Sequence, residues 1–274
     1  MTSHVYLATE GPHDVELIAA LLRPVGFRRV QHLTSLDLYW RPLIPTTYPH
    51  RDDLLARVPV PTFFECADLS VAIEAVGGDS KLAPRTEDVL ALLRGAQPSI
   101  GVILDADAER SARERFERVA RDLRRLAIPD LEAPGVVTSG PPRCGIYVLP
   151  DNQSPGTFES LLLEAAQTSY SRLTGSATTY VDSVDRTALD EDDMAQLNKP
   201  AGRDKAIAAS VAAILRPGRA IQVSIQDNRW LRDAALDLPR IVQLRRFLAE
   251  LLVLPSMLPE PPAERESARP DAAG

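Results

Sequence analysis

The chain has 274 residues, 45% of them hydrophobic, and a formal net charge of −7. That length accommodates one large domain or two small ones, and no apolar run reaches the roughly 18 residues of a membrane span. The acidic balance argues against a surface coated for DNA, though not against a local basic groove.

Residues 4 to 9 read as a first strand and 12 to 23 as a first helix, broken by Pro24 and Gly26. Between them lies Glu10-Gly11-Pro12-His13-Asp14. Gly11 suits a tight turn, and Pro12 suits the first helical position. Arg29 to Leu33 reads as a second strand. From Leu38 to Pro61 the prolines dissolve the pattern into an irregular insertion. Its Trp40, Tyr48, His50 and Arg51 either pack on the domain or touch a base or phosphate. Leu69 to Val76 is a helix or a strand; periodicity does not separate them. Gly77-Gly78 then either lets the backbone approach a phosphate or metal or forms a simple turn. Thr86 to Arg94 reads as a helix capped by Thr86 and ended by Gly95.

Ile100 to Leu104 is a short apolar strand that ends in Asp105-Ala106-Asp107. Asp is a poor strand former, so both acids belong at the strand's carboxyl end, the edge of a parallel sheet where ligands bind. Residues i and i+2 of an extended segment face the same way. Two carboxylates about 4 Å apart repel by roughly 4 kcal/mol at an effective dielectric near 20. A cation relieves that repulsion, and oxygen ligands suit Mg²⁺ or Mn²⁺. The alternative is a solvated loop with two incidental acids. Glu10 ends the first strand as Asp105 ends this one, so neighbouring strands would bring the three acids together.

Glu109 to Leu126 reads as an amphipathic helix. Phe116, Val119, Leu123 and Leu126 make its apolar stripe, and Arg110, Arg113, Arg115, Arg118, Arg121, Arg124 and Arg125 make it locally basic. That face either meets a phosphate backbone or is solvated and salt-bridged. Cys144 to Leu149 is a further strand, ending in Pro150-Asp151-Asn152, and Gly156 opens a helix with Glu159 in its first turn. A carboxylate there either complements the helix dipole or joins the rim of the metal site. Three strands thus end in acids. Ser176 to Asp193 reads as a polar, mobile connection. Lys205 begins a helix running to Leu215; Ile221 to Ile225 reads as a last short strand, and Leu238 to Leu252 as an amphipathic helix. The tail 255–274 has little to bury and is expected to be disordered. The two cysteines, Cys66 and Cys144, read as buried small hydrophobes. With no basic n-region before a long apolar stretch, no signal peptide is expected, and the default location is cytoplasmic.

An apolar strand ending in Glu10-Gly11-Pro12-His13-Asp14, a central Gly77-Gly78 and a strand ending in Asp105-Ala106-Asp107 together resemble the TOPRIM domain. That domain occurs in type I topoisomerases, DnaG-type primases and OLD-family nucleases. The pattern most resembles the TOPRIM-like family DUF3226, whose further features are matched here by Pro150-Asp151-Asn152, Gly156-Thr157-Phe158-Glu159 and Lys205-Ala206. His13 departs from the Lys or Asp of many relatives. The resemblance covers about residues 5 to 254. It implies an α/β fold with a mostly parallel sheet, helices on both faces and a C-terminal helical extension. Residues 1–254 would form one domain, with a core of about 4–170 and a flank of about 195–254.

The resemblance also implies Mg²⁺-dependent phosphodiester or phosphoryl-transfer chemistry, with a nuclease acting on nucleic acid as the favoured case. Asp105 and Asp107 would hold Mg²⁺ or Mn²⁺, with Glu159 helping to hold a second ion; Glu10 would either ligate the metal or act as general acid or base; Lys205 would be catalytic; Gly11, Gly77 and Gly78 would line the site. Without motif-placed tyrosine, helicase or zinc ribbon, topoisomerase and primase are disfavoured. The rival reading is a non-catalytic nucleotide- or partner-binding module. The chain has no phosphate-loop motif of its own, so an ATPase activity would come from a protein partner.

Overall fold

The computed structural model describes residues 2–47, 60–107, 111–126 and 128–257. Among them six strands form one mixed sheet in the order β2-β3-β4-β1-β5-β6. These are β1 (Ser3–Thr9), β2 (Arg28–Arg29), β3 (Thr62–Cys66), β4 (Leu69–Ala75), β5 (Ser99–Asp105) and β6 (Cys144–Leu149). β4, β1, β5 and β6 are parallel. β2 and β3 add an antiparallel edge. Leu69 to Val76 therefore resolves as a strand, and it sits beside β1 in the sheet's interior.

Alternation along the parallel strands separates two cores, as period-2 geometry requires. Val5, Leu7, Val71, Ile73, Ile103, Tyr147 and Leu149 face one layer. It is built from α1 (Pro12–Leu22), α4 (Phe158–Ser169), α5 (Ser171–Asp182), α7 (Gly202–Leu215), α8 (Ile221–Gln226) and α9 (Pro239–Leu252). Tyr6, Ala8, Ala72, Ile100, Val102, Leu104, Ile146 and Val148 face the other, where α2 (Leu82–Leu92) and α3 (Ala112–Leu123) pack with Trp40. The α/β architecture and its C-terminal helices are thus as expected. Gly101 and Gly145 are sites of close approach: a Cβ at Gly101 would overlap Leu7 and stand 2.6 Å from Leu251, and one at Gly145 would stand 2.7 Å from Phe247, so side chains of β1 and α9 would have to shift. No helix among the described residues is long and apolar enough to cross a membrane.

Several local expectations are corrected. Ile221–Gln226 is helical, not a strand; Ile225 is buried against the α1 layer, where a solitary strand would leave its amides unpaired. The polar stretch after Ser176 is largely helical, in α5 and α6 (Glu191–Leu197), because Ala177 and Val181 anchor α5 to the core and Asp190 caps α6. Thr86 is interior to α2 and donates to the Leu82 carbonyl. α3 begins after Ser111, whose hydroxyl accepts from the Glu114 amide. Arg110 lies outside the described residues, as do Tyr48, His50 and Arg51. Trp40 packs inward and donates to Ser70 Oγ (2.9 Å). The disordered tail was expected from residue 255, but Pro255–Met257 is a 3-10 turn with Met257 fully buried; residues 258–274 lie outside the described residues.

Candidate functional site

β1 and β5 are neighbours in register, with Thr9 beside Ile103, so Glu10 and Asp105 leave the sheet at the same edge. Alternation gives them opposite inclinations. Glu10 follows Tyr6 and Ala8 toward α3, whereas Asp105 follows Ile103 toward α4. They meet across the edge: the Asp105 amide donates to Glu10 Oε1 (3.0 Å). The Gly77 and Gly78 amides donate to the Glu10 carbonyl (3.0 and 3.2 Å), with φ of +81° and +119°. Those conformations suit glycine. The pair therefore fixes the Glu10 backbone, and its amides are engaged there.

Gly11 caps α1 in extended conformation, φ −138°, rather than in a glycine-only turn. Its amide donates to Asp14 Oδ2 (2.8 Å), and Asp14 lies buried in the first helical turn. On the far side, Asp105 Oδ1 accepts from the Phe158 amide (2.8 Å) at the start of α4. A carboxylate at a helix N-terminus satisfies an otherwise unpaired donor and faces the positive end of the dipole. Glu159, also buried, accepts from Thr157 Oγ1 (2.9 Å). His13 stacks on Phe158 above this turn, with centroids 5.9 Å apart.

Asp107 does not continue the strand. Its φ is +63°, and its carbonyl accepts from the Gly156 amide (3.3 Å). The expected i, i+2 alignment with Asp105 is therefore replaced by a turn. The turn leaves the Asp107 side chain 53% exposed and aims it at α3.

At the centre stands Arg115, which is only 3% exposed. Its Nη2 meets Glu10 Oε1 (3.0 Å) and Asp107 Oδ2 (3.3 Å), and its Nε donates to the Asp105 carbonyl (2.9 Å). Its Nη1 pairs with Asp79, which also pairs with Arg118. Lys205 is exposed; it makes no ion pair within the described residues but lies close enough to Asp14 to favour its ionised form.

Burial and mutual repulsion raise several of these acids. Burial pushes Asp14 up to about 7, with Glu10 and Glu159 adding to the rise against the Gly11 amide and Lys205. Asp105 is held well above the carboxylate range by burial, then by Asp14, Glu10 and Glu159. Burial also raises Glu10, opposed by the Asp105 amide and Arg115. Even so, among the described residues no three carboxylate, imidazole or thiol side chains stand gathered as a ready-made metal cage. The geometry supplies the reason. Arg115 holds Glu10 and Asp107, while Asp105 faces α4 and Glu159 faces Thr157. The acids are close enough to disturb one another without sharing a centre.

Of the acids singled out from sequence, Glu10, Asp105 and Glu159 thus come together with Asp14, and Asp107 joins through Arg115. Asp151, the third strand-end acid, turns away: it accepts from the Gln153 and Ser154 amides and from Arg240 Nε (3.0 Å). The sequence pattern does not single out Asp14, Asp79 or Arg115 as site residues. The signal for Arg115 was its phase: it lies four residues before Val119 and beside Phe116, on the apolar stripe, where an arginine needs buried partners. Asp14 closes the Glu10-Gly11-Pro12-His13-Asp14 motif, and Asp79 directly follows the glycine pair.

Among solved structures the chain is similar to one described as "Crystal structure of hypothetical protein PH0156 from Pyrococcus horikoshii OT3". The TM-score is 0.52 at 18% identity, covering 93% of this chain and 98% of that one, so the likeness concerns the fold. No match is found among curated proteins. Residues 4–252 match the family described as "Protein of unknown function (DUF3226)", and the chain belongs to that family.

Proposed function

We propose that this protein carries out Mg²⁺- or Mn²⁺-dependent phosphodiester chemistry of the TOPRIM type, as a nuclease. One observation carries the reading. Glu10, Asp14 and Asp105 are packed at the carboxyl edge of parallel strands; burial raises all three, with repulsion from Asp107 on Glu10 and from neighbouring acids of the cluster on Asp14 and Asp105. Desolvated negative charge of this kind is relieved by a hard cation with oxygen ligands. The donor set is all oxygen, which fits such an ion. Asp105, Asp107, Glu10 and Glu159 would hold it, given side-chain rotations that release Arg115. When bound, the ion would supply an activated water and neutralise charge on a phosphate.

The chain's own groups have distinct parts in this reading. Glu10, raised in pKa and at the edge of the cluster, serves as general acid or base where it does not ligate the ion. Lys205 contributes positive charge for a phosphate oxygen. Gly77 and Gly78 hold the Glu10 backbone still, and Gly11 does the same for Asp14. A cytoplasmic location and a nucleic-acid substrate go with this chemistry. The second reading, a non-catalytic nucleotide- or partner-binding module, draws support from Arg115, which already neutralises part of the cluster.

The test is cleavage of single-stranded, duplex and nicked DNA and of RNA, with Mg²⁺, Mn²⁺ or EDTA. Asp105→Asn is expected to lower the rate on the order of a hundredfold or more, since even outer-shell changes at metal sites cost 10–100-fold. The metal-induced rise in Tm, worth about 2.7 kcal/mol at 100 times Kd, should vanish in the same variant. A wild type that cleaves nothing and does not shift with metal and nucleic acid together favours the binding module.

A further inference from the structure

The geometry points to Arg115 as the built-in counter-cation of this site, so that a divalent ion binds tightly only together with a phosphate group that takes over the guanidinium. The inference rests on the metal-dependent reading above and concerns how that site admits its ligands.

Arg115 is buried, and its contacts run to Glu10, Asp107, Asp79 and the Asp105 carbonyl. Two of those acids, Glu10 and Asp107, belong to the set that would hold the ion. An entering divalent cation therefore meets a fixed positive charge already using its ligands. Arginine does not lose its proton in proteins, so the conflict is not removed by deprotonation. Asp79 and Arg118 offer only a partial retreat, because Asp79 is already shared between the two guanidiniums. A phosphate resolves the conflict from both sides. Its oxygens accept the guanidinium in a forked pair, and they supply ligands that a hexacoordinate Mg²⁺ otherwise takes from water. Ion and phosphate then favour each other by the same factor, whichever binds first. Asp107 is the natural hinge of this exchange: it is half-exposed, in a left-handed turn, and bound to Arg115 by one long contact.

The experiment measures Mn²⁺ affinity by electron paramagnetic resonance on the full chain, with and without inorganic phosphate, in wild type, Arg115→Gln and Arg115→Lys. In wild type, phosphate should tighten Mn²⁺ binding on the order of tenfold or more, within the usual range of site coupling. Arg115→Gln should bind Mn²⁺ alone about tenfold more tightly than wild type and lose the phosphate effect. Arg115→Lys keeps the charge without the fork and should retain weak Mn²⁺ binding while losing most of the phosphate effect. Wild type that binds Mn²⁺ equally well without phosphate overturns the inference and leaves the metal site standing. So does an Arg115→Gln variant that binds Mn²⁺ no better than wild type. Should that variant fail to fold by circular dichroism, the wild-type comparison decides alone. Absence of Mn²⁺ binding in every form and condition overturns both the inference and the reading beneath it.

Discussion

Two carboxylates on the same face of the sheet, Glu74 fully buried and Glu10 partly so, meet arginines from the helices that cover them. Glu74, inside β4, accepts from the Tyr6 hydroxyl (2.9 Å) and from Arg85 Nε (2.7 Å) of α2. Glu10, at the end of β1, meets Arg115 of α3. In the first case one acid has one cation and one neutral donor, and the count closes. In the second, one guanidinium serves Glu10, Asp107 and, together with Arg118, Asp79, while Asp14, Asp105 and Glu159 crowd the other side of the sheet edge. Burial of a carboxylate is therefore not what marks a site here. The surplus of acids over cations is, and it occurs where strands end and backbone turns bring several carboxylates together.

The contrast breaks most visibly at Glu74. Removing one partner of a buried pair costs about 3–5 kcal/mol. Glu74→Ala should lose stability of that order by urea denaturation, with the response to divalent cations unchanged among molecules that remain folded. Asp105→Asn should leave the metal-free protein no less stable than wild type, because repulsion is relieved and the amide oxygen still accepts from Phe158. If both substitutions destabilise equally, the two centres are alike and the surplus has no consequence.

A smaller effect, of a few kcal/mol at most, is expected from pH. Asp14 has a folded pKa of about 7 against 3.8 for the free side chain. The folded state therefore binds its proton more tightly. The stabilisation is fully present below pH 3.8 and is lost as pH rises through about 7. Asp14→Asn keeps the acceptor for Gly11 and removes the titration. The stability of wild type minus that of the variant should thus fall between about pH 4 and 7 and level off above that. A difference that stays flat would show that Asp14 is not desolvated as the packing indicates.

The smallest effect sharpens the boundary of the site. Asp151 binds two turn amides and Arg240, at the same sheet edge but outside the cluster. Asp151→Ala should cost about 1 kcal/mol, as for a partly exposed hydrogen-bonded group. It should leave the metal-induced shift in Tm intact. Loss of that shift would extend the site to β6.

Much of this arrangement was legible in the chain. An apolar run that stops at Glu10 or Asp105 reports a buried strand and its end, because period and composition are local properties. The order of those strands with Gly77-Gly78 and Gly156 carries the family resemblance, and it is that resemblance that implies a mostly parallel sheet. Leu69–Ala75 is open between strand and helix in the sequence, and Ile221–Gln226 reads as a strand yet folds as a helix, since short apolar runs satisfy both periods and only neighbours choose. The face taken by each acid was also beyond the sequence. Asp107 leaves the line of Asp105 through one left-handed residue, a choice made by its backbone contact to Gly156 49 positions later. Arg115 stood in the buried phase of its helix, but its partners come from the ends of β1, β4 and β5. Local pattern determined which residues would be buried and charged. Which charges would neutralise one another depended on contacts between distant segments, and only the assembled sheet edge decided that.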